Sequence, residues 1–301
     1  MEKKKSFYLL IFAGILLIAS IIFVIYTRNT TYQESMTVGT TLKEVNAQIE
    51  AVEAGSGAGD LDSLKAQATQ LSDEKLALER PYSYGLTALF LAILLFIKGI
   101  YNAFIGTTPS QRINVNKVAQ AGLLAALCYI GFAFLKIDIP VGPEKTAFHF
   151  GNVFCVLAAL LLGGYWGGMA GAIGMTIADL TTAYVTSAPK TFFLKLCIGL
   201  IVGFVAHKIF KLSQAHPKKY VTKATILACA SGMLFNFIAD PLVGYFYKMY
   251  LLGIPQELSS ALAKMSSLTT GVNAIIAVIC ASVFYLALRP ALKKSGLFTE
   301  I

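Results

Sequence analysis

Long apolar stretches alternate with short polar ones along this chain, and the apolar stretches predict its class. Mostly apolar runs occur near residues 7–27, 82–105, 115–134, 151–164, 166–186, 191–207, 223–247 and 268–288. A helix that spans a bilayer needs about 17–25 such residues. The pattern therefore predicts an all-α integral membrane protein with about eight spans, of which the short 151–164 run is tilted or partly re-entrant.

A polar segment, residues 28–81, separates the first two spans. Leu42, Val45 and Ile49 recur in it at helical spacing, and a second helical pattern follows the breaker GSGAGD at 55–60. We predict a helical hairpin that runs continuously from the first span and into the second. It is either a docking or sensing arm or an insertion that only spaces two helices.

Composition and charge agree with a membrane protein. The chain is 56% hydrophobic and 14% charged, whereas soluble domains carry roughly 25% charged residues. The net charge of +9 comes from basic residues at span ends, near 3–5, 112–117, 208–223 and 289–294. Eight spans with both termini in the cytoplasm place all four clusters on one side, as the positive-inside rule requires. We predict a plasma-membrane protein with an extracytoplasmic hairpin and no nucleic-acid partner.

A polar linker marks a domain boundary. Residues 106–118, GTTPSQRINVNKV, contain Pro109 and lie between the second and third spans. Residues 1–110 are predicted to form a membrane-anchored region, with span 7–27, hairpin 28–81 and span 82–105. Residues 111–301 are predicted to form a six-span domain.

Sequence motifs for enzymatic chemistry are missing. The chain has no GxxxxGK[ST] loop for ATP, no HExxH and no GxSxG. Its histidines, His149, His207 and His216, are too scattered to suggest a metal cluster. We therefore expect neither catalysis, a cofactor nor a metal ion.

Ionisable residues within the apolar runs indicate a binding site. Such residues are costly in a membrane and usually face a protein interior or a watery cavity. The predicted topology brings polar residues of five segments to one level, the outer half of the bundle. The predicted substrate-binding residues are His149, Asn152, Asp179, Lys190, Lys195, Asn236, Asp240 and Asn273.

The predicted site is a pocket that opens to the outside and takes a small polar or aromatic molecule. Flat apolar walls, as ligand sites commonly have, are expected from Phe148, Tyr184, Phe192, Phe193, Tyr245 and Tyr247. The alternative is a set of structural pairs, for example an ion pair between Asp179 and Lys195 that fixes helix packing.

Small residues form two stripes. GGYWGGMAGAIG at 163–174 repeats glycine at four-residue spacing, which predicts close helix packing. Ala121 and Ala125 in AGLLAAL either pack internally or face a membrane partner, and spacing alone does not distinguish the two.

Four segments, in order, carry a family resemblance. They are KVAQAGLLAALCYIG, IPVGPEKTAFHFGN, LLGGYWGGMAGAIGMTIADL and APKTFFLKLCIGLIVGFVAHKI. Together they resemble the substrate-binding S components of energy-coupling factor (ECF) vitamin transporters, with the riboflavin-type branch nearest. The resemblance covers about 113–290 and leaves the N-terminal region without a counterpart.

The resemblance implies a six-helix S component that captures a vitamin or related small molecule from outside. A separate transmembrane coupling subunit and two ATPase subunits would be its partners. An AxxxA stripe on the first of the six helices contacts the coupling subunit in the family, and Ala121 with Ala125 matches it. Family substrates bind in the outer half, in regions that match Lys195, Asn236, Asp240 and Asn273.

Other interpretations remain open at this point. Riboflavin, another vitamin, a modified purine or a pyrimidine precursor would each suit the pocket. A membrane sensor or assembly protein that acts through the hairpin is the alternative function. An autonomous secondary transporter is disfavoured because the sequence has no visible inverted halves.

Overall fold

The computed structural model describes residues 2–105 and 115–296, and the chain divides into two compact units, 1–112 and 113–301. Most of the predicted linker 106–118 lies outside the described residues.

The first unit is a long helical hairpin. Helix α1 (Glu2–Thr27) passes through a π-helical turn into α2 (Gln33–Glu53), and α3 (Leu61–Ile100) returns along them. The Asp60 side chain caps α3 by accepting hydrogen bonds from the backbone N–H groups of Asp62 and Ser63. The helix-breaking segment 55–60 therefore ends at Asp60, which is the N-cap residue of α3.

The seam between α2 and α3 mixes apolar and polar contacts. Leu42 and Val45 are buried in it, as their helical spacing predicts. The rings of Tyr32 and Tyr82 lie 4.4 Å apart. The remaining seam residues include a buried ion pair within α3, Lys75 to Glu79 at 2.6 Å.

The second unit is a six-helix bundle with one β-hairpin. Its helices are α4 (Val115–Ala133), α5 (Gly151–Leu162), α6 (Gly164–Thr181), α7 (Ala188–Gly203), α8 (Lys218–Phe246) and α9 (Gln256–Lys294). The segment 135–150, which connects the apolar runs 115–134 and 151–164, forms antiparallel strands β1 (Lys136–Val141) and β2 (Glu144–His149). Gly142 turns the chain between them with φ of 60°. We call residues 136–149 the lid.

Six helices in the described ranges are long and apolar enough to cross a membrane, and the all-α integral membrane class is confirmed. They are the helices that contain α1, α3, α4, α7, α8 and α9. The predicted runs 151–164 and 166–186 correspond to α5 and α6, which are not among them. Helix α5 has 12 residues, roughly 18 Å, and 11 of them are buried. It is a central core helix that is too short to span alone.

Glycines on α6 let three neighbouring helices approach it closely, which confirms that the 163–174 stripe serves helix packing. On one face, Gly164 and Gly168 meet Gly203 and Gly199 of α7, backbone against backbone. The two four-residue repeats run antiparallel, so each glycine faces another glycine. Any Cβ at Gly199 would collide with the α6 backbone.

The other faces of α6 use the remaining glycines of the same segment. Gly167 lies against the backbone of Ala159 on α5, and Gly171 lies against Cys155 one turn further. Gly174 touches the carbonyl oxygen of Ala125 on α4. Helix α6 is thereby fixed against α4, α5 and α7, which positions the polar residues at its C-terminal end.

Candidate functional site

A polar cavity lies beneath the lid, where α5 begins, α6 ends and α7 begins. All eight predicted substrate-binding residues line it. Its volume is about 90 Å³, against the roughly 300–1,000 Å³ of typical ligand pockets. The structure thus brings together the residues that the sequence singled out, around a cavity of small volume.

One wall of the polar cavity is an ion pair supported by hydroxyl groups. The Lys190 ammonium lies 2.8 Å from Asp240 Oδ1. Ser266 and Thr270 of α9 donate hydrogen bonds to Asp240 Oδ2 at 2.8 and 3.1 Å. Helices α7, α8 and α9 are linked through this one carboxylate.

A second lysine has no such counter-ion. Lys195 is only 6% exposed, and its Nζ lies 3.4 Å from Asn236 Oδ1. No carboxylate of the described residues lies within ion-pair distance of it. The alternative pair between Asp179 and Lys195 is therefore not formed, and the ion pair at the cavity joins Lys190 to Asp240 instead. A buried ammonium with one long hydrogen bond is costly unless a further group solvates it.

Three buried polar atoms of residues that line the polar cavity have no hydrogen-bond partner among the described residues. They are His149 Nδ1, Asn152 Oδ1 and Asp179 Oδ2. The great majority of buried side-chain polar atoms in proteins are satisfied. A polar molecule bound in the cavity could satisfy all three.

The lid covers the polar cavity and is attached on two sides. On the α9 side, Asn273 Oδ1 accepts a hydrogen bond from the backbone N–H of His149 at 2.9 Å. Asn273 Nδ2 donates to the Ala147 carbonyl at 3.0 Å. One turn earlier on α9, the hydroxyls of Thr269 and Thr146 lie 2.9 Å apart.

On its other side, the lid is bound to Tyr184 through strand β1. The Tyr184 hydroxyl donates to Asp138 Oδ1 of β1 at 2.8 Å. Lys136 forms a salt bridge with the same carboxylate, and its ammonium lies 4.7 Å from the Tyr184 ring centroid. Phe132 packs edge-on against Tyr184, 5.3 Å between centroids.

His149 ends the lid and is held as a neutral ring. Its ring packs edge-on against Phe132 at 4.7 Å. Burial, together with the nearby Lys195 ammonium, lowers the pKa of His149 to about 3. At physiological pH the histidine therefore offers one donor and one acceptor without charge.

Only Tyr184 of the six expected aromatic wall residues lines the polar cavity. Phe148 is absent from the lining, whereas its neighbours Ala147 and His149 line the cavity, because successive side chains of a strand point to opposite faces. Phe192, Phe193, Tyr245 and Tyr247 are likewise absent from its lining. The aromatic residue that sequence reasoning missed is Phe132.

Hydroxyl residues are the other group that was missed. Residues that line the cavity in this class include Thr146, Thr191, Ser266, Thr269 and Thr270. A signal was present in α9, because Ser266, Thr269, Thr270 and Asn273 follow the i, i+3, i+4, i+7 spacing of one helix face.

Ala121 and Ala125 are half-buried on α4. Both pack against the bundle core, and the Ala125 carbonyl touches Gly174 of α6. The adjacent small residues Gly122 and Ala126 are exposed. Around the position of a Cβ on Gly122 there is open space. The exposed small stripe of α4 is therefore shifted by one residue from the predicted one.

Within residues 2–105 and 115–296, no three His, Cys, Asp or Glu side chains are arranged to hold a metal ion.

Comparison with known proteins gives one match. No curated protein and no solved structure matches the chain. A family model described as "ECF-type riboflavin transporter, S component" matches residues 112–290, which is more than half of the chain and nearly all of the six-helix bundle. The resemblance read from the sequence is confirmed, and the chain belongs to the family of ECF-type riboflavin transporter S components.

Proposed function

We propose that this substrate-binding transporter subunit captures riboflavin, or a closely similar vitamin, from outside the cell in the polar cavity. Delivery to the cytoplasm then depends on a separate membrane coupling subunit and two ATPase subunits, because the chain has no phosphate-binding loop of its own. Both termini are cytoplasmic in this proposal, which puts the basic span ends inside.

The main support for this proposal is the set of buried polar groups around one cavity whose hydrogen bonds are incomplete. Lys195 and the amide of Asn236 can donate to ring carbonyls, while Asp179 and Asn152 can accept from ring N–H or side-chain hydroxyl groups. A flavin carries all three kinds of group on a flat ring and a polyol chain. Each contact would satisfy a group that burial now penalises.

The small cavity volume requires the lid to move. About 90 Å³ does not hold a three-ring vitamin. Residues 145–147 and 149 of the lid line the cavity, so displacement of the lid would enlarge it. Ligand can favour the closed state only by as much as its affinity for the closed state exceeds that for the open one.

The coupling subunit would contact α4. Small exposed residues allow close helix approach within lipid, and Gly122 and Ala126 are exposed beside the predicted pair Ala121 and Ala125. We assign the contact to this whole stripe, with Gly122 and Ala126 at its centre.

Binding of riboflavin to the purified chain tests the proposal, with quenching of flavin fluorescence as the readout. Lys195→Ala and Asn236→Ala should each weaken affinity by roughly 10- to 100-fold, because each removes a buried, partly charge-assisted hydrogen bond. Lys264→Ala is the matched control, since Lys264 is an exposed lysine of α9 away from the cavity. Unchanged affinity in both site variants, with both proteins monodisperse, would show that the site is elsewhere.

A further inference from the structure

The lid is a two-stranded sheet, and one edge of β2 has no strand beside it in the described residues. Strand β1 pairs along the other edge, with Lys136 opposite His149 and Asp138 opposite Ala147. The free edge presents the Ala147 carbonyl and the His149 N–H, two residues apart. An exposed strand edge with unpaired backbone groups ordinarily invites another strand.

Asn273 fills the place of that strand. One side-chain amide donates to the Ala147 carbonyl at 3.0 Å and accepts from the His149 N–H at 2.9 Å. Both ends of the amide are thereby engaged with lid backbone. Asn273, Ala147 and His149 are 3%, 6% and 9% exposed, so detaching the lid without water entry would leave buried backbone groups unpaired.

The same helix also holds the charged wall of the cavity. Thr269 contacts the lid through Thr146, whereas Ser266 and Thr270 bind Asp240, the partner of Lys190. Two adjacent stripes of one helix surface thus serve two tasks. The stripe with Thr269 and Asn273 faces the lid, and the stripe with Ser266 and Thr270 faces the ion pair.

We propose that Asn273 is the latch of the lid, a positioning residue whose amide stands in for a third strand and whose release controls how fast bound ligand leaves. This assigns Asn273 a task different from the direct substrate contact expected from the sequence. The inference rests on the proposed function only for the ligand; the attachment of the lid by Asn273 stands without it.

The first test needs no ligand. Hydrogen–deuterium exchange of the full-length chain in lipid nanodiscs follows the backbone amides of residues 144–150. Asn273→Leu keeps the size of the side chain but removes both hydrogen bonds. Exchange over 144–150 should become on the order of tenfold faster, because two buried hydrogen bonds are lost.

The matched control is Ser267→Ala, less than two turns away on the same helix α9. Ser267 bonds only to the Ala263 carbonyl of its own helix, so exchange over 144–150 should stay at the wild-type rate. If Asn273→Leu is not monodisperse, Thr269→Val takes its place and should give a smaller acceleration in the same peptides. Wild-type exchange in the folded variant overturns the latch.

The second test is riboflavin dissociation, followed by the recovery of flavin fluorescence. Asn273→Leu should raise the dissociation rate on the order of tenfold, while Ser267→Ala leaves it unchanged. Faster lid exchange with an unchanged dissociation rate would overturn the claim that the latch controls ligand release. If wild-type protein binds no riboflavin, the proposed substrate fails, and the exchange experiment still decides whether Asn273 holds the lid.

Discussion

At the scale of single residues, the cavity separates two kinds of buried lysine. Lys190 has a carboxylate and two supporting hydroxyls around its partner, whereas Lys195 has one long contact with Asn236. The first arrangement stabilises the bundle, because breaking a buried pair leaves a charge uncompensated. The second leaves a donor available to a ligand.

The ion pair predicts a non-additive response to mutation. Lys190→Met or Asp240→Asn alone should lower the free energy of unfolding by about 3–5 kcal/mol, because each leaves a buried polar partner without its counterpart. The double variant should lose less than the sum of the two, since no uncompensated charge remains. The free energy of unfolding is measured in detergent for the wild type, the two single variants and the double variant. Losses that add strictly would contradict the pairing.

At the scale of elements, short side chains determine which helices touch. The α6–α7 contact is made of backbone at Gly168 and Gly199, whereas the small residues of α4 divide between the core and the surface. The four-residue spacing of small residues is the same in helices that pack inside the bundle and in helices that face a partner. Burial alone separates a glycine that packs inside the bundle from one that is open to a partner.

Two glycine substitutions should therefore have opposite effects. Gly199→Leu should destabilise the chain by several kcal/mol or prevent its folding, because the side chain meets the α6 backbone. Gly122→Leu has open space and should leave the melting temperature and riboflavin affinity unchanged.

Uptake in cells that supply the coupling and ATPase subunits is the further readout for Gly122→Leu. Uptake should be lost, because the larger side chain keeps the partner helix at a distance. Normal uptake by this variant would remove the exposed stripe of α4 from the proposed partner surface.

At the scale of the whole molecule, the chain has two units that call for separate explanations. The first unit holds one helix that continues from residue 2 to 53, roughly 78 Å long, which exceeds the ~30 Å hydrocarbon core of a bilayer. We therefore propose that much of α2 and the start of α3 extend beyond the membrane. The family match begins only at residue 112 and does not include this hairpin.

Replacing residues 30–80 with a short Gly/Ser linker tests what the hairpin contributes. Riboflavin affinity should change by less than about threefold, because every residue that lines the polar cavity lies in the second unit. Loss of binding in a monodisperse variant would contradict this expectation. Retained uptake together with loss of a cellular response would favour the alternative of a sensor or assembly protein that acts through the hairpin.

Much of this architecture follows from local pattern, and the sequence alone determined it. Six of the eight apolar runs correspond to helices long and apolar enough to cross a membrane, whereas 151–164 and 166–186 do not, and the order of four motifs identified the family. Polar and ionisable residues at membrane depth face inward because lipid excludes them, so the positions of Asp179, Lys195, Asn236 and their companions along the chain predict one shared level in the bundle. The tertiary structure brings all eight to one cavity.

Only the tertiary structure decided which of these residues meet. Lys190 rather than Lys195 takes Asp240, Phe132 rather than Phe148 lines the cavity, and the Asn273 amide binds the lid. These outcomes depend on distances between segments up to 126 residues apart and on which side of a strand faces the bundle. Periodicity along the chain carries no information on either, because it describes each element's own faces and not the face that its neighbour presents.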